Sequence, residues 1–160
     1  MVENVLTDNI NQWCGNRTGH DRKALQRVLR CWSYVGRQEK EQIFSLEKDG
    51  CVYHSTVQHE VLHALGFTHE ISRSDRDEYV KILFENIKPG NERNFKKVET
   101  NKLRTPYDFK SIMQYSKYAF SKNDPNLDFG HAKQMNKNDI IRVNRLYNCC
   151  SKKTPCTIPN

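Results

Sequence analysis

The run His59-Glu60-Val61-Leu62-His63-Ala64-Leu65-Gly66-Phe67-Thr68-His69 constrains this chain more than any other stretch. Histidines four residues apart on a helix project from one face, one turn apart. Their imidazoles can then share a Zn²⁺ at about 2.0–2.1 Å. Glu60 follows the first histidine and can lie beside the metal, holding a water rather than the ion. Gly66 can take the left-handed conformation that ends a helix, which brings His69 back as a third ligand. Three neutral nitrogens and one open position make a catalytic zinc layout rather than a closed structural one. The plainer alternative is a core helix, since Val57, Val61, Ala64 and Leu65 recur at helical spacing. A core helix has no need of the glycine and third histidine at these offsets, which favours zinc. They also argue against zinc peptidases whose third ligand is a distant glutamate.

The rest of the chain reads as one small α+β unit. Leu25, Val28 and Leu29 recur at helical spacing behind Asp21, which predicts a helix over 21–30. Residues 42–46 alternate as a strand does, and Lys48-Asp49-Gly50 reads as the turn back to Cys51. The zinc helix spans 55–65. Lys88-Pro89-Gly90 is a break, with a short helix over 91–98. Asn136 or Asn138 caps a last helix through Tyr147, with Ile140, Val143 and Leu146 facing inward. The tail 151–160 has no periodicity and reads as loose.

Composition removes several function classes. No run of some 18 apolar residues exists, so no membrane span is expected. The formal charge of +7 is spread along the whole chain without a basic run interleaved with aromatics. That describes a solvated surface, not a nucleic-acid partner. Six cysteines without a C-x-x-C pair point to an oxidising compartment rather than a cysteine zinc knuckle. The sequon Asn16-Arg17-Thr18 is consistent with secretion.

Beyond His69 the chain continues Glu70-Ile71-Ser72-Arg73-Ser74-Asp75-Arg76-Asp77-Glu78-Tyr79-Val80. This resembles the extended signature of the astacin family of metzincin zinc proteases. Cys31-Trp32-Ser33-Tyr34-Val35-Gly36-Arg37, Gly50-Cys51-Val52-Tyr53-His54, Ser111-Ile112-Met113-Gln114-Tyr115 and Met135-Asn136-Lys137-Asn138-Asp139-Ile140 resemble other blocks of that family. The pattern is nearest to its fish hatching-enzyme branch. The resemblance implies a metzincin zinc-peptidase fold: a small twisted mixed sheet packed on the zinc helix, a C-terminal helix, and an incomplete N-terminal sheet. It divides the chain into a divergent segment 1–30, a peptidase domain 31–150 and the tail 151–160.

The same resemblance implies roles. His59, His63 and His69 hold one catalytic zinc, and Glu60 is the general base toward a metal-activated water. Tyr115 is a further ligand at rest that swings to the tetrahedral oxyanion. Met113 forms the apolar floor of the site. Glu70 makes a buried contact with the N-terminus freed by propeptide removal; the alternative is a surface glutamate. Cys31 pairs with Cys51, and Cys149 with an upstream cysteine for which Cys14 is the candidate. Cys150 and Cys156 have no counterpart. The strand at 42–46 is an open sheet edge on which an extended protein or peptide substrate adds as a strand. Gln114 departs from the family, which has histidine there; the metal should survive, while the positioning of Tyr115 is affected.

The expected function is a secreted zinc endopeptidase acting on extracellular proteins. The alternative is a non-catalytic extracellular zinc-binding protein of the same fold, or an inactive fragment. Met1-Val2-Glu3-Asn4 lacks the charged start and apolar core of a signal peptide. No propeptide motif is expected ahead of residue 31, and nothing in the sequence specifies an oligomer.

Overall fold

Strand β3 (Gln42–Ser45) organises the sheet, because both of its neighbours pair with it. The computed structural model describes residues 22–25, 31–38, 42–47, 51–116 and 129–149. Strand β1 (Arg22–Leu25) runs parallel to β3, with Arg22 opposite Gln42 and Leu25 opposite Ser45. Strand β2 (Trp32–Ser33) runs antiparallel on the other side, with Trp32 opposite Ser45. The order β1-β3-β2 corrects two expectations. Residues 22–25 form a strand where helical spacing predicted a helix. The ladder to β3 offers their backbone partners that local periodicity cannot reveal. The strand at 42–45 is the middle of the sheet rather than its open edge; among the described residues the edge beside the cleft is β2.

Helix α1 (His54–Ala64) packs against β2 and β3. Its start has no side-chain cap: Tyr53 is extended and makes no capping bond. The helix therefore depends on burial, and Val57, Val61, Leu62 and Ala64 are all inside. Its end is specified locally. Gly66 takes φ 99°, its N–H donates to the His63 carbonyl at 2.8 Å, and the Phe67 N–H donates to the Leu62 carbonyl at 3.0 Å. This pair of bonds is a Schellman stop. Phe67 packs back on the core and the chain reverses toward His69.

The following chain is carried by single 3₁₀ turns at Glu70–Ser72, Arg76–Glu78, Phe84–Asn86 and Glu92–Phe95. The helix expected over 91–98 is only the last of these. Helix α2 (Lys137–Tyr147) opens with a reciprocal capping box between Asn136 and Asp139. Its inner face differs from expectation: Val143 is buried and Ile140 packs on the core, but Leu146 is 39% exposed. Asp139, Arg142 and Asn144 occupy the buried positions instead. The core between the helices comprises Leu46, Val57, Leu62, Ile112, Met113 and Val143, with others.

Cys31 and Cys51 form a disulfide with Cα atoms 6.0 Å apart, ahead of α1. Cys149 is also disulfide-bonded. The turn at 48–50, the sequon, Cys14, Cys150, Cys156 and the tail lie outside the described residues. Among the described residues no helix is long and apolar enough to cross a membrane.

Candidate active site

The three imidazoles of His59, His63 and His69 converge on one point. Nε2 of His69 lies 3.1 Å from Nε2 of His59 and 3.1 Å from Nε2 of His63. Around a tetrahedral zinc with Zn–N bonds of about 2.0–2.1 Å, neighbouring nitrogens stand roughly 3.3 Å apart. The donor set therefore fits that metal in type and spacing.

The opposite ring nitrogens explain how two of the rings are aimed. His59 Nδ1 lies 2.9 Å from the Ile112 carbonyl, and His63 Nδ1 lies 2.8 Å from the Phe67 carbonyl. A carbonyl accepts only from an N–H, so both bonds place the proton on Nδ1 and leave Nε2 as the lone-pair donor. Electrostatics agree. Burial, with the neighbouring His59, lowers His63 to about 4. Burial, with His63 and His59, lowers His69 to about 2. Burial lowers His59 as well. At neutral pH all three are uncharged, as metal ligands must be.

Glu60 lines the same cleft and is 5% exposed. Its Oε2 is buried with no hydrogen-bond partner among the described residues, and burial pushes the carboxyl up to about 7. An unpartnered buried carboxylate facing three neutral imidazoles is costly for folding alone and useful beside a cation or a water. The cleft holds about 590 Å³ and runs between Trp32 and Val35 on the sheet side and Arg93 and Lys96 on the other.

Tyr115 lines the cleft with its ring centroid 4.5 Å from that of His69 and 5.9 Å from that of Phe95. Burial raises its hydroxyl above the usual tyrosine range. Gly130, at φ 76°, lies against the Tyr115 and Ser116 backbone, where a Cβ would collide with the Tyr115 carbonyl. Met113 is 2% exposed in the core, and its carbonyl accepts from the Glu70 N–H at 3.0 Å. Gln114 is buried; its Oε1 accepts from the Tyr107 hydroxyl at 2.9 Å, while its Nε2 has no partner among the described residues.

Glu70 points away from the cleft and is 3% exposed, which rules out the surface alternative. Its described partners are side chains and one backbone group. Arg142 Nη1 bonds Oε1, and Arg142 Nη2 and Arg73 Nη1 approach Oε2 at 3.4 Å. The Asp108 N–H donates to Oε2 at 3.0 Å. Burial pushes this carboxyl up, and Arg142, the Asp108 N–H and Arg73 draw it back down. The N-terminal contact implied by the resemblance lies outside the described residues.

Sequence reading missed the groups that hold the site from behind. Asp139 accepts from Ser111 Oγ at 2.5 Å, the Ile112 N–H at 3.2 Å and the Asn136 N–H at 3.0 Å. Ser111 Oγ in turn accepts from the Met113 N–H at 3.0 Å, so Asp139, directly and through Ser111, holds both peptides flanking Ile112, whose carbonyl orients His59. Gln58 Oε1 accepts from the Met135 N–H at 2.8 Å, tying α1 to the approach to α2. One signal was present: Asp139 and Arg142 share the helical face of Val143, so an inward apolar position predicts inward charges beside it.

Comparison with known proteins agrees with this geometry. High choriolytic enzyme 1 of Oryzias latipes is 46% identical over 129 residues, covering 74% of this chain and 48% of that protein. Meprin A subunit alpha of Mus musculus is 39% identical over 144 residues, covering 81% of this chain and 19% of that protein. The chain spans about half the length of the choriolytic relatives it matches. The solved structure of high choriolytic enzyme 1, a hatching enzyme zinc-protease from medaka, superposes with a TM-score of 0.79 at 39% identity. That match covers 92% of this chain and 81% of the other. Myroilysin shares the fold at a TM-score of 0.56 and 18% identity. The profile of the Astacin peptidase family matches residues 10–148, reaching into the segment read from sequence as divergent. A zinc-type histidine triad on this fold, matched by that profile along most of the chain, places the protein in the astacin family.

Proposed function

We propose that this chain is the catalytic part of a secreted zinc endopeptidase that hydrolyses peptide bonds of extracellular proteins. The observation that carries the proposal is the convergence of three neutral Nε2 atoms in a cleft lined also by the buried Glu60, whose Oε2 has no partner among the described residues. Zinc, when bound, polarises a carbonyl and lowers the pKa of its water to about 7. His59, His63 and His69 would hold it.

Glu60 takes the proton of the attacking water and returns it to the leaving amine. A carboxyl raised to about 7 suits both halves of that transfer near neutral pH. Tyr115, kept protonated by burial, donates its hydroxyl hydrogen to the carbonyl oxygen as negative charge develops there. Met113 closes the site from below as an apolar floor. An extended substrate adds to β2, the edge strand beside the cleft, through backbone hydrogen bonds. The catalytic unit is residues 31–150, preceded by the segment 1–30 and followed by the tail 151–160.

Glu60→Gln beside the parent tests this reading. Cleavage of a generic protein substrate should fall about 10²–10⁴-fold, the usual worth of a general base, while zinc content stays stoichiometric. Equal cleavage by the two chains would remove Glu60 from the mechanism. A second reading, a zinc-binding protein that hydrolyses nothing, draws on Gln114, next to Tyr115 in sequence, whose Nε2 has no partner among the described residues. Zinc uptake by a parent that cleaves nothing would favour it.

A further inference from the structure

We infer that Arg142 is a positioning residue for the metal centre: from α2 it clamps Glu70 and so holds the backbone that carries His69. The inference rests on the zinc reading above and adds a residue on the far side of the site. His59 and His63 are each aimed by an Nδ1 bond to a carbonyl, but His69 Nδ1 makes no such bond among the described residues. The placement of the His69 ring therefore depends on its main chain, and the next residue is the buried Glu70.

A carboxylate has roughly four acceptor sites. On Glu70, Oε1 accepts from Arg142 Nη1, while Oε2 accepts from Arg142 Nη2, Arg73 Nη1 and the Asp108 N–H. Arg142 spends the rest of its fork on a second segment. Its Nε donates to Thr105 Oγ1 at 2.7 Å and its Nη2 to the Pro106 carbonyl at 2.9 Å. One planar guanidinium thus ties α2, the third-ligand segment and the loop leading to Met113 and Tyr115. A lysine ammonium could reach a carboxylate oxygen there but could not reproduce the fork.

The test uses the full chain as parent, Arg142→Gln, Arg142→Lys and Arg145→Gln. Arg145 is the control from the same helix: its Nη1 donates to the Leu103 and Arg104 carbonyls at 2.6 and 2.9 Å rather than to Glu70. Zinc dissociation constants are measured by chelator competition, alongside kcat, KM and the thermal midpoint of the metal-free chain. Arg142→Gln should weaken zinc binding by about 10-fold or more, the usual loss from outer-shell substitutions, and lower kcat more than it raises KM. Arg142→Lys should recover part of both, and Arg145→Gln should bind zinc as the parent does. Arg142→Gln binding zinc as tightly as the parent would overturn the inference, as would an equal loss in Arg145→Gln. Should Arg142→Gln fail to fold, Arg142→Lys decides: weakened zinc binding supports the clamp and unchanged binding refutes it. A parent that binds no zinc removes the peptidase reading and the clamp together. A zinc-binding, active parent with an indistinguishable Arg142→Gln removes the clamp alone.

Discussion

His59 and His63 stand on α1, a helix held by burial of Val57, Val61, Leu62 and Ala64. His69 and Tyr115 stand on irregular chain, backed by Glu70, Arg73, Arg142 and Asp139, all nearly inaccessible to water. The two sides of one cleft are thus built from different materials. Apolar burial tolerates small displacements, because its energy follows area rather than direction. A buried charge network does not: each partner removed strands another in a low dielectric. The helix side should therefore govern whether the chain folds, and the network side how tightly the site is set.

Acid should produce the largest effect, and it should act through the histidines of both sides. His63 and His69 are lowered from 6.5 to about 4 and about 2 in the fold, so below pH 6.5 the unfolded chain binds protons that the folded chain refuses. The stability of the metal-free chain is present above that pH and is lost as pH falls toward 4. Glu60, raised to about 7, contributes with the opposite sign between 4.5 and 7, as do Glu70 and Asp139, which burial also raises; the fall is what the histidines leave over these carboxyls. Urea titrations of the metal-free chain at pH 7 and pH 4.5 should show the midpoint falling; a flat profile would contradict the burial of neutral imidazoles.

Leu62→Ala comes next. The side chain is 1% exposed in the core, and its truncation should cost about 2–5 kcal/mol. Chemical denaturation of the metal-free chain reads it directly. Asp139→Ala should cost about 1–3 kcal/mol by stranding buried donors, yet weaken zinc binding more per unit of lost stability, because Ile112, whose carbonyl aims His59, loses its anchors at Asp139 and Ser111. If both variants lose zinc affinity in proportion to stability, the contrast between the two sides fails. Lys97→Ala marks the small end. Its ion pair with Asp77 joins a 44% exposed side chain to a 55% exposed one, so its removal should shift stability by less than about 1 kcal/mol and leave zinc binding alone.

The metal ligands were legible because their spacing is a property of the helix itself: four residues bring two histidines to one face in any α-helix. The Schellman stop at Gly66 was legible for the same reason, since a positive φ favours glycine wherever it occurs. The strand at 22–25 was not, because its leucine sits at a spacing that also suits a helix and its partner strand lies 20 residues onward. The inward face of α2 was only half legible: Val143 is buried as its periodicity implies, while Leu146 yields the interior to Asp139, Arg142 and Asn144.

By itself the sequence determined the ligand triad, the glutamate beside it, the turn that returns His69 and the two helices, since each follows from offsets within a few turns of chain. Only the tertiary structure decided which strand borders the cleft, that Glu70 is buried against Arg142, and that Asp139 and Ser111 anchor Ile112, whose carbonyl faces His59. Those facts join residues far apart in sequence. Their energies depend on burial and direction, and neither exists until the chain has folded.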